Sequence, residues 1–436
     1  MNNVYDYLGV GFGPSNLALA IASRECMPEG RQPSMGFLEK KPAFNWHEGM
    51  LIDGSTMQIS FLKDLATLRD PRSRFTFINY LKEQDRLEDF INIQTFFPTR
   101  EEYNDYLGWA ASHFDDQVHY GQSVEAVEPW LEDGRLQGVE VISRNRDDQP
   151  LRSRARHLVL GMGGAPQVPQ AFEGLDDGRV IHSSRYRGGI EPLLADASRP
   201  LRVAVVGGGQ SAAEIFEDLT QRFPQVDASL VLRGTALKPS DDSPFVNEIF
   251  NPSYIDQIYR QSPERRADLL TEFRNTNYAV VDLELIERVY QIFYLQKLRN
   301  ESRHELLTRR EIVDAQSSQQ EVRLTLRNLA TGKLQDQGFD AVVLATGYRR
   351  DQHIGLLDGL GDHLDGLEPD RNYCLRLRDS DARIYLQGCC ELSHGLSDTL
   401  LSVLAIRSRE IVEDIFGHDG EGERRRVSEA DLSFAL

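Results

Sequence analysis

A strand that runs into closely spaced glycines and straight on into a helix leaves a chain few folds to adopt, and this 436-residue chain contains that arrangement twice. The first copy reads LGVGFGPSNLALA. Val4 to Val10 is apolar and β-rich, and Leu17 to Ser23 is alanine-rich with a helical period. Between them lie Gly9, Gly11 and Gly13. Gly9 permits the turn, and Gly11 lets the backbone approach a pyrophosphate. Ser15 lies where the helix N-terminus turns its free N–H groups and positive dipole end to the phosphates. Pro14 stands where a third glycine is usual. Proline suits a first helical turn, where its missing N–H has no partner to lose. The next apolar run, Met35 to Leu38, ends in Glu39, a carboxylate placed to accept ribose hydroxyls.

The second copy reads LRVAVVGGGQSAAEIF. A strand is expected over Leu201 to Val206, followed by Gly207 and Gly209, with Gln210 and Ser211 opening a helix. The following strand, ASLVLRG, ends in Arg233 rather than an acid. A fixed cation there suits a 2′-phosphate and so favours NADPH over NADH, with an ordinary surface arginine as the alternative.

Composition narrows the rest. A formal net charge of −19 disfavours nucleic acid and anionic membrane surfaces as partners. The one basic run, Arg424-Arg425-Arg426, sits beside Glu421 and Glu423 and reads as a solvated tail. Cys26, Cys374, Cys389 and Cys390 form no C-x-x-C spacing. No metal site or disulfide framework is expected, and a reducing, cytoplasmic setting fits. Neither a signal peptide nor a membrane helix is expected.

The stretch FDAVVLATGY, with Ala341 to Leu344 as a strand and Thr346 and Gly347 after it, looks like the A-T-G strand of two-dinucleotide flavoproteins. LVLGMGGAPQVP (Leu158 to Pro169) looks like the matching exit from the first domain. That resemblance implies FAD at the first loop and NADPH at the second, with the second domain inserted into the first. The expected fold is α/β: two Rossmann-like dinucleotide-binding domains with a small helical substrate lobe. The FAD domain is expected at 1–195 plus 340–436 and the NADPH domain at 196–339, including the lobe at 240–300. No redox C-x-x-C or C-x-x-x-x-C accompanies the first loop, which excludes a flavin disulfide reductase. The adjacent Cys389-Cys390 reads as buried filler.

Longer motifs then carry a specific resemblance: MQISFLKDLATLRDPRSRFTFINYL (Met57 to Leu81), DDSPFVNEIFNP (Asp241 to Pro252), NTNYAVVD (Asn275 to Asp282) and HGLSDTLLS (His394 to Ser402). With GVGFGPSN and VVLATGY, they resemble the microbial N-hydroxylating flavin monooxygenases, most of all the L-ornithine 5-monooxygenases of siderophore biosynthesis. In GRVIHSSRY the flavin-monooxygenase core Gly178, His182, Tyr186 is kept, but Asp176 stands where such signatures carry an upstream phenylalanine. His182 is therefore expected to be structural before catalytic.

The resemblance implies that reduced flavin activates O2 as a C4a-hydroperoxide, whose distal oxygen passes to the side-chain amine of L-ornithine. It also implies roles. Gln58 lies near the flavin ring and shapes the oxygen pocket; Lys63 pairs with the substrate carboxylate; Asn247 holds the α-amino and carboxylate end. Asn277 lies near the terminal nitrogen and NADP, Trp46 and His47 lie beside the flavin and nicotinamide, and Leu396 and Ser397 close the site. Taken singly, these residues have structural readings too: a snorkelling lysine, asparagine caps and a satisfied histidine. The same chemistry on L-lysine or a diamine such as cadaverine stays open, since one methylene is worth only about 1–3 kcal/mol in an apolar pocket. A nucleotide-binding redox sensor without catalysis is the non-enzyme alternative. The resemblance implies a homo-oligomer, a tetramer among the options, with small-molecule substrates.

Overall fold

The computed structural model describes residues 4–27, 32–175, 178–195 and 199–417. Asp176 and the Arg424–Arg426 run lie outside them.

The first expected strand forms at Val4–Val10 and sits inside an eight-stranded sheet. It pairs in parallel with Met35–Glu39 on one side and Pro150–Leu160 on the other. Val118–Tyr120 extends the sheet beyond Met35–Glu39, and Arg383–Leu386 and Cys374–Arg376 extend it beyond Pro150–Leu160. Both neighbours of the central strand are parallel, so it needs apolar residues on both faces, and Tyr7 to Val10 are all buried. The helix Pro14–Glu25 follows at once, with Pro14 in its first turn. It is buried without a break from Asn16 to Ser23, because the later helix Leu404–Phe416 packs along it.

A second sheet of five parallel strands runs in the order Glu305–Leu307, Val226–Val231, Leu201–Val206, Ala341–Leu344, Val180–His182. One face is covered by the helix Gln210–Arg222, through Ala212, Ile215, Phe216 and Leu219. The other face meets a three-stranded antiparallel sheet, Arg310–Ser317, Val322–Asn328 and Leu334–Phe339, through Val322, Leu324 and Leu326. The expected borders at 195/196 and 339/340 cut across this sheet. Val180–His182 and Ala341–Leu344 were assigned to the first unit, yet their ladders bond to the second. The physical reason is register: Ala341 to Leu344 lies alongside Val203 to Val206, and its four buried side chains need both faces covered.

Between the sheets, the segment expected as a helical lobe contains Pro263–Glu272 and Leu283–Leu298, with the short turns Val246–Phe250, Tyr254–Tyr259 and Phe273–Thr276. Ser262 caps Pro263–Glu272 by accepting the Arg265 N–H at 3.3 Å. The lobe closes over a small apolar cluster of Ile249, Phe250 and Leu396, with Leu270, Phe273 and Tyr278 against it.

The two units are tied by a bidentate ion pair. Arg100, at the start of the helix Arg100–Ser112, places both guanidinium nitrogens 2.7 Å from the Glu214 carboxylate on Gln210–Arg222. Their side chains are 12% and 7% exposed, so removing one partner strands the other in a dry place. Arg100→Ala is expected to destabilise the folded chain by about 3–5 kcal/mol, the usual cost of breaking a buried pair. Adding Glu214→Gln should recover part of that loss; chemical denaturation midpoints of the two variants check it.

Candidate active site between two glycine loops

The two units face each other across a cleft of about 3100 Å³. A single small-molecule site occupies roughly 300–1,000 Å³, so this space admits more than one large ligand. Both glycine loops open onto it.

At the first loop, Gly11 has φ +82°, and a Cβ there would lie 2.7 Å from the Gly161 carbonyl oxygen. Only glycine fits that close approach. The loop is then held from three sides. The Glu39 carboxylate accepts the Phe12 N–H at 2.7 Å and the Lys41 N–H at 2.8 Å. Asn16 donates to the Gly11 carbonyl at 2.7 Å and accepts from Gln387 at 2.8 Å. Arg407 donates to the Ser15 hydroxyl at 3.1 Å and is itself paired with Asp398 at 2.8 Å. That ion pair is essentially without exposure, and Asp398 also accepts the Cys390 N–H. Gly13 precedes the helix with no side-chain cap, leaving first-turn N–H donors for an anion.

The second loop repeats the design. Gly207 has φ +151°, and a Cβ there would meet the Ala345 carbonyl at 2.3 Å. Gly209 precedes Gln210–Arg222, again with no side-chain cap. Arg233 lies two residues beyond the strand Val226–Val231, exposed on the cleft wall and without an ion-pair partner among the described residues.

Most residues singled out from the sequence line this cleft: Gly11, Gly13, Pro14, Ser15, Glu39, Trp46, His47, Gln58, Lys63, Gly207, Gly209, Gln210, Ser211, Arg233, Asn247, Asn277, Thr346 and Gly347. Three do not. Gly9 lies beneath the loop, where a Cβ would strike Phe37 at 2.3 Å. Leu396 and Ser397 are buried behind the wall, Leu396 in the cluster of the helical lobe. The surface expected of them is made instead by the next residues, Asp398 to Ser402. The backbone turns at Gly395, φ +84°, which carries Leu396 inward.

Among the lining residues, Lys63 is half-buried and has no carboxylate within ion-pair distance among the described residues. Burial alone pushes its ammonium pKa down. Asn247 donates its amide N–H to the Asp242 carbonyl at 2.8 Å, and its carbonyl oxygen has no partner among the described residues. The Asn277 side chain makes no hydrogen bond among the described residues. Gln58 does not stand free: it donates to Asp282 at 2.5 Å, and Gln210 donates to the same carboxylate at 3.2 Å and to Glu214 at 2.9 Å. Burial raises the Asp282 pKa. A polar chain therefore crosses the cleft from Gln58 and Arg100 to Gln210, Glu214 and Asp282. His182 has both ring nitrogens engaged. Nδ1 accepts the Ser184 N–H at 3.1 Å, so Nε2 donates to the Gly347 carbonyl at 3.0 Å, which makes it a structural histidine.

Sequence reasoning did not single out Arg100, Glu214, Asp282, Asn16, Gln387, Asp398 or Arg407. The signal was there for Asn16, a polar residue opening an otherwise apolar helical run. Gln387 Oε1 and Asn45 Oδ1, both on the wall, lack a hydrogen-bond partner among the described residues, as acceptors awaiting a ligand donor would. Among the described residues no cluster of side chains is suited to hold a metal ion, and no helix is long and apolar enough to cross a membrane.

The family model for L-lysine 6-monooxygenase/L-ornithine 5-monooxygenase matches residues 3–350. The L-ornithine N(5)-monooxygenase of Burkholderia cepacia is 51% identical over 401 residues, covering 90% of each chain. The ornithine hydroxylase PvdA of Pseudomonas aeruginosa superposes with a TM-score of 0.90 at 46% identity, covering 95% of this chain and 99% of that one. The Kutzneria sp. 744 ornithine N-hydroxylase KtzI, solved with reduced FAD, NADP+ and L-ornithine, gives a TM-score of 0.88 at 36% identity, covering 95% and 99%. The chain belongs to the L-lysine 6-monooxygenase/L-ornithine 5-monooxygenase family.

His47 faces the cleft beside Trp46 and Tyr348, with φ +51°. The surrounding protein, then the charges of Arg100, Lys41 and Arg350, lower its pKa, but the ring is exposed to the cleft and solvent screens part of that shift. Unfolded, it would titrate at 6.5, so below that pH the unfolded chain binds a proton that the folded chain refuses. This group's share of stability, small at an exposed site, therefore falls as pH drops below 6.5. His47→Gln is expected to remove that share, read as a flatter dependence of Tm on pH. In the parent protein the His47 ring resonances should titrate with a midpoint below 6.5.

Proposed function

We propose that this family member hydroxylates the side-chain nitrogen of L-ornithine with FAD, NADPH and O2, giving N5-hydroxyornithine for hydroxamate siderophore assembly. The observation that carries the substrate reading is Lys63, a half-buried cation on the cleft wall without a carboxylate of its own. A substrate carboxylate supplies the missing partner.

The residues present fit both dinucleotides. FAD belongs at the uncapped helix start after Gly13, with Ser15 and Glu39 on its phosphate and ribose. NADPH belongs at the start of Gln210–Arg222, with Arg233 on the 2′-phosphate. FAD, once reduced by NADPH, supplies the oxygen-activating chemistry. The chain's own share is binding and orientation. Lys63 and the free carbonyl of Asn247 hold the amino-acid end, which fixes the direction of the side chain. The unengaged Asn277 amide, two residues from Ala279, whose Cα lies 3.5 Å from where a Cβ on Gly209 would be, can meet both the terminal amine and the nucleotide. Removal from water favours the free-base amine over the ammonium, and the Asn277 amide N–H can donate to its lone pair. Gln58 is oriented by Asp282, to which its amide N–H donates.

A cytoplasmic setting and self-association belong to the same reading. The helix Leu283–Leu298 exposes Leu283, Tyr290, Tyr294 and Leu298 along one side, an apolar stripe suited to a second copy.

The deciding experiment loads the purified protein with FAD and NADPH and offers L-ornithine, L-lysine and cadaverine. NADPH loss, hydroxylated amine and hydrogen peroxide are measured together. Hydroxylated product is expected from ornithine; NADPH loss with peroxide alone from all three amines would refute the substrate assignment. Lys63→Ala is expected to raise the ornithine KM about tenfold to a hundredfold, the worth of one charged hydrogen bond. NADPH oxidation without substrate should persist in that variant.

A further inference from the structure

Pro14 fits its helix, but it leaves the first loop one donor short. The first N–H bonded back within Pro14–Glu25 is that of Leu17, to the Gly13 carbonyl at 3.0 Å. The N–H groups ahead of it are those a phosphate can use, and proline supplies none. At the second loop Gln210 holds the same position and keeps its N–H. Behind the first loop stands a group that the second lacks. Ser15, next to Pro14, is half-buried on the cleft wall, and Arg407 in the helix Leu404–Phe416 donates to its oxygen at 3.1 Å. The Arg407 side chain is 1% exposed and held in place. Its other terminal nitrogen donates to the Asp398 carboxylate at 2.8 Å and to the Asp398 backbone carbonyl at 2.7 Å. Ser211, the counterpart of Ser15 at the second loop, has no such arginine among the described residues.

We infer that Arg407 is a positioning residue for the FAD pyrophosphate: it holds Ser15 so that the hydroxyl donates to a phosphate oxygen, in place of the N–H that Pro14 lacks. Hydrogen-bond polarity dictates the direction. A guanidinium only donates, so the Ser15 oxygen accepts on that side. The hydroxyl proton then turns away from Arg407, and among the described residues no acceptor takes it. Ser15 lines the cleft at the uncapped helix start, which leaves that proton to an anion there. Phosphate oxygens only accept, so they match a hydroxyl locked as a donor. The buried Asp398 carboxylate cancels the guanidinium charge, so Arg407 directs the hydroxyl without competing for the phosphate as a free cation. That the anion is FAD rests on the flavin reading of this loop; the polarity of Ser15 does not.

Binding, rather than turnover, tests this. The full chain, freed of flavin, is titrated with FAD by flavin fluorescence, and ADP and adenosine are added as competitors; adenosine lacks the pyrophosphate. Ser15→Ala is expected to weaken FAD and ADP about tenfold, the worth of a hydrogen bond to a charged group, and to leave adenosine unchanged. Adding Pro14→Ala, which restores an N–H at the first helical position, should recover part of that loss. Arg407→Lys keeps a charge beside Asp398 but not the fork that also reaches Ser15. It should weaken ADP, and Ser15→Ala added to it should cost little more. ADP binding to Ser15→Ala within about twofold of the parent, equal losses for ADP and adenosine, no recovery with Pro14→Ala, or a further loss of about tenfold for Ser15→Ala in the Arg407→Lys protein would each overturn the inference. The Ser15→Ala arms decide it even where Arg407→Lys does not fold, because adenosine competition reports an intact pocket. Parent protein that binds neither FAD nor ADP would overturn the flavin reading of the loop as well.

Discussion

The cleft works only if two separately built nucleotide loops face each other at a fixed distance, and the Arg100–Glu214 pair is the interaction on which that depends. Glu214 stands in the second turn of the very helix whose N-terminus receives the NADPH phosphates in the proposed reading. Left alone, its charge would repel that phosphate; paired bidentately at 2.7 Å, it does not. The same carboxylate orients Gln210, Gln210 orients Asp282, and Asp282 orients Gln58 on the opposite unit. One ion pair thus sets the docking of the units and, through two amides, the lining of the reaction space.

The local architecture was legible because each element carries its own pattern. Val4–Val10, Met35–Glu39, Leu201–Val206 and Ala341–Leu344 form as the apolar runs predict, and Pro14 opens its helix as its fixed φ predicts. What the residues alone hid is pairing at a distance. Arg407 and Ser15 are 392 residues apart and Arg100 and Glu214 are 114 apart, separations that leave no periodic trace. The domain borders failed for a related reason. Whether Ala341–Leu344 belongs to one sheet or the other depends on which edge offers a ladder, and both candidate partners look alike as sequence.

The site residues divide along the same line. Arg233, Lys63 and Asn277, the proposed ligands, stood out because a charge or amide in a loop has no core role to explain it, whereas Glu39 also holds the first loop in shape. Leu396 and Ser397 were misplaced by two residues, since the inward turn at Gly395 is set by a backbone conformation and not by side-chain type. His182 shows the converse: a histidine inside a flavin-enzyme motif whose two nitrogens are spent on Ser184 and Gly347, joining a strand of the second sheet to the loop after its neighbour.

The double engagement of Glu39 has a consequence for how the flavin comes and goes. Its two oxygens hold the Phe12 and Lys41 amides, and Asn16 holds the Gly11 carbonyl, so the chain's own groups fix the shape of the first loop. A pocket shaped that way charges no ordering entropy on arrival and loses no fold on departure. The contact energy of the first loop is then free to hold the flavin instead of ordering the chain around it.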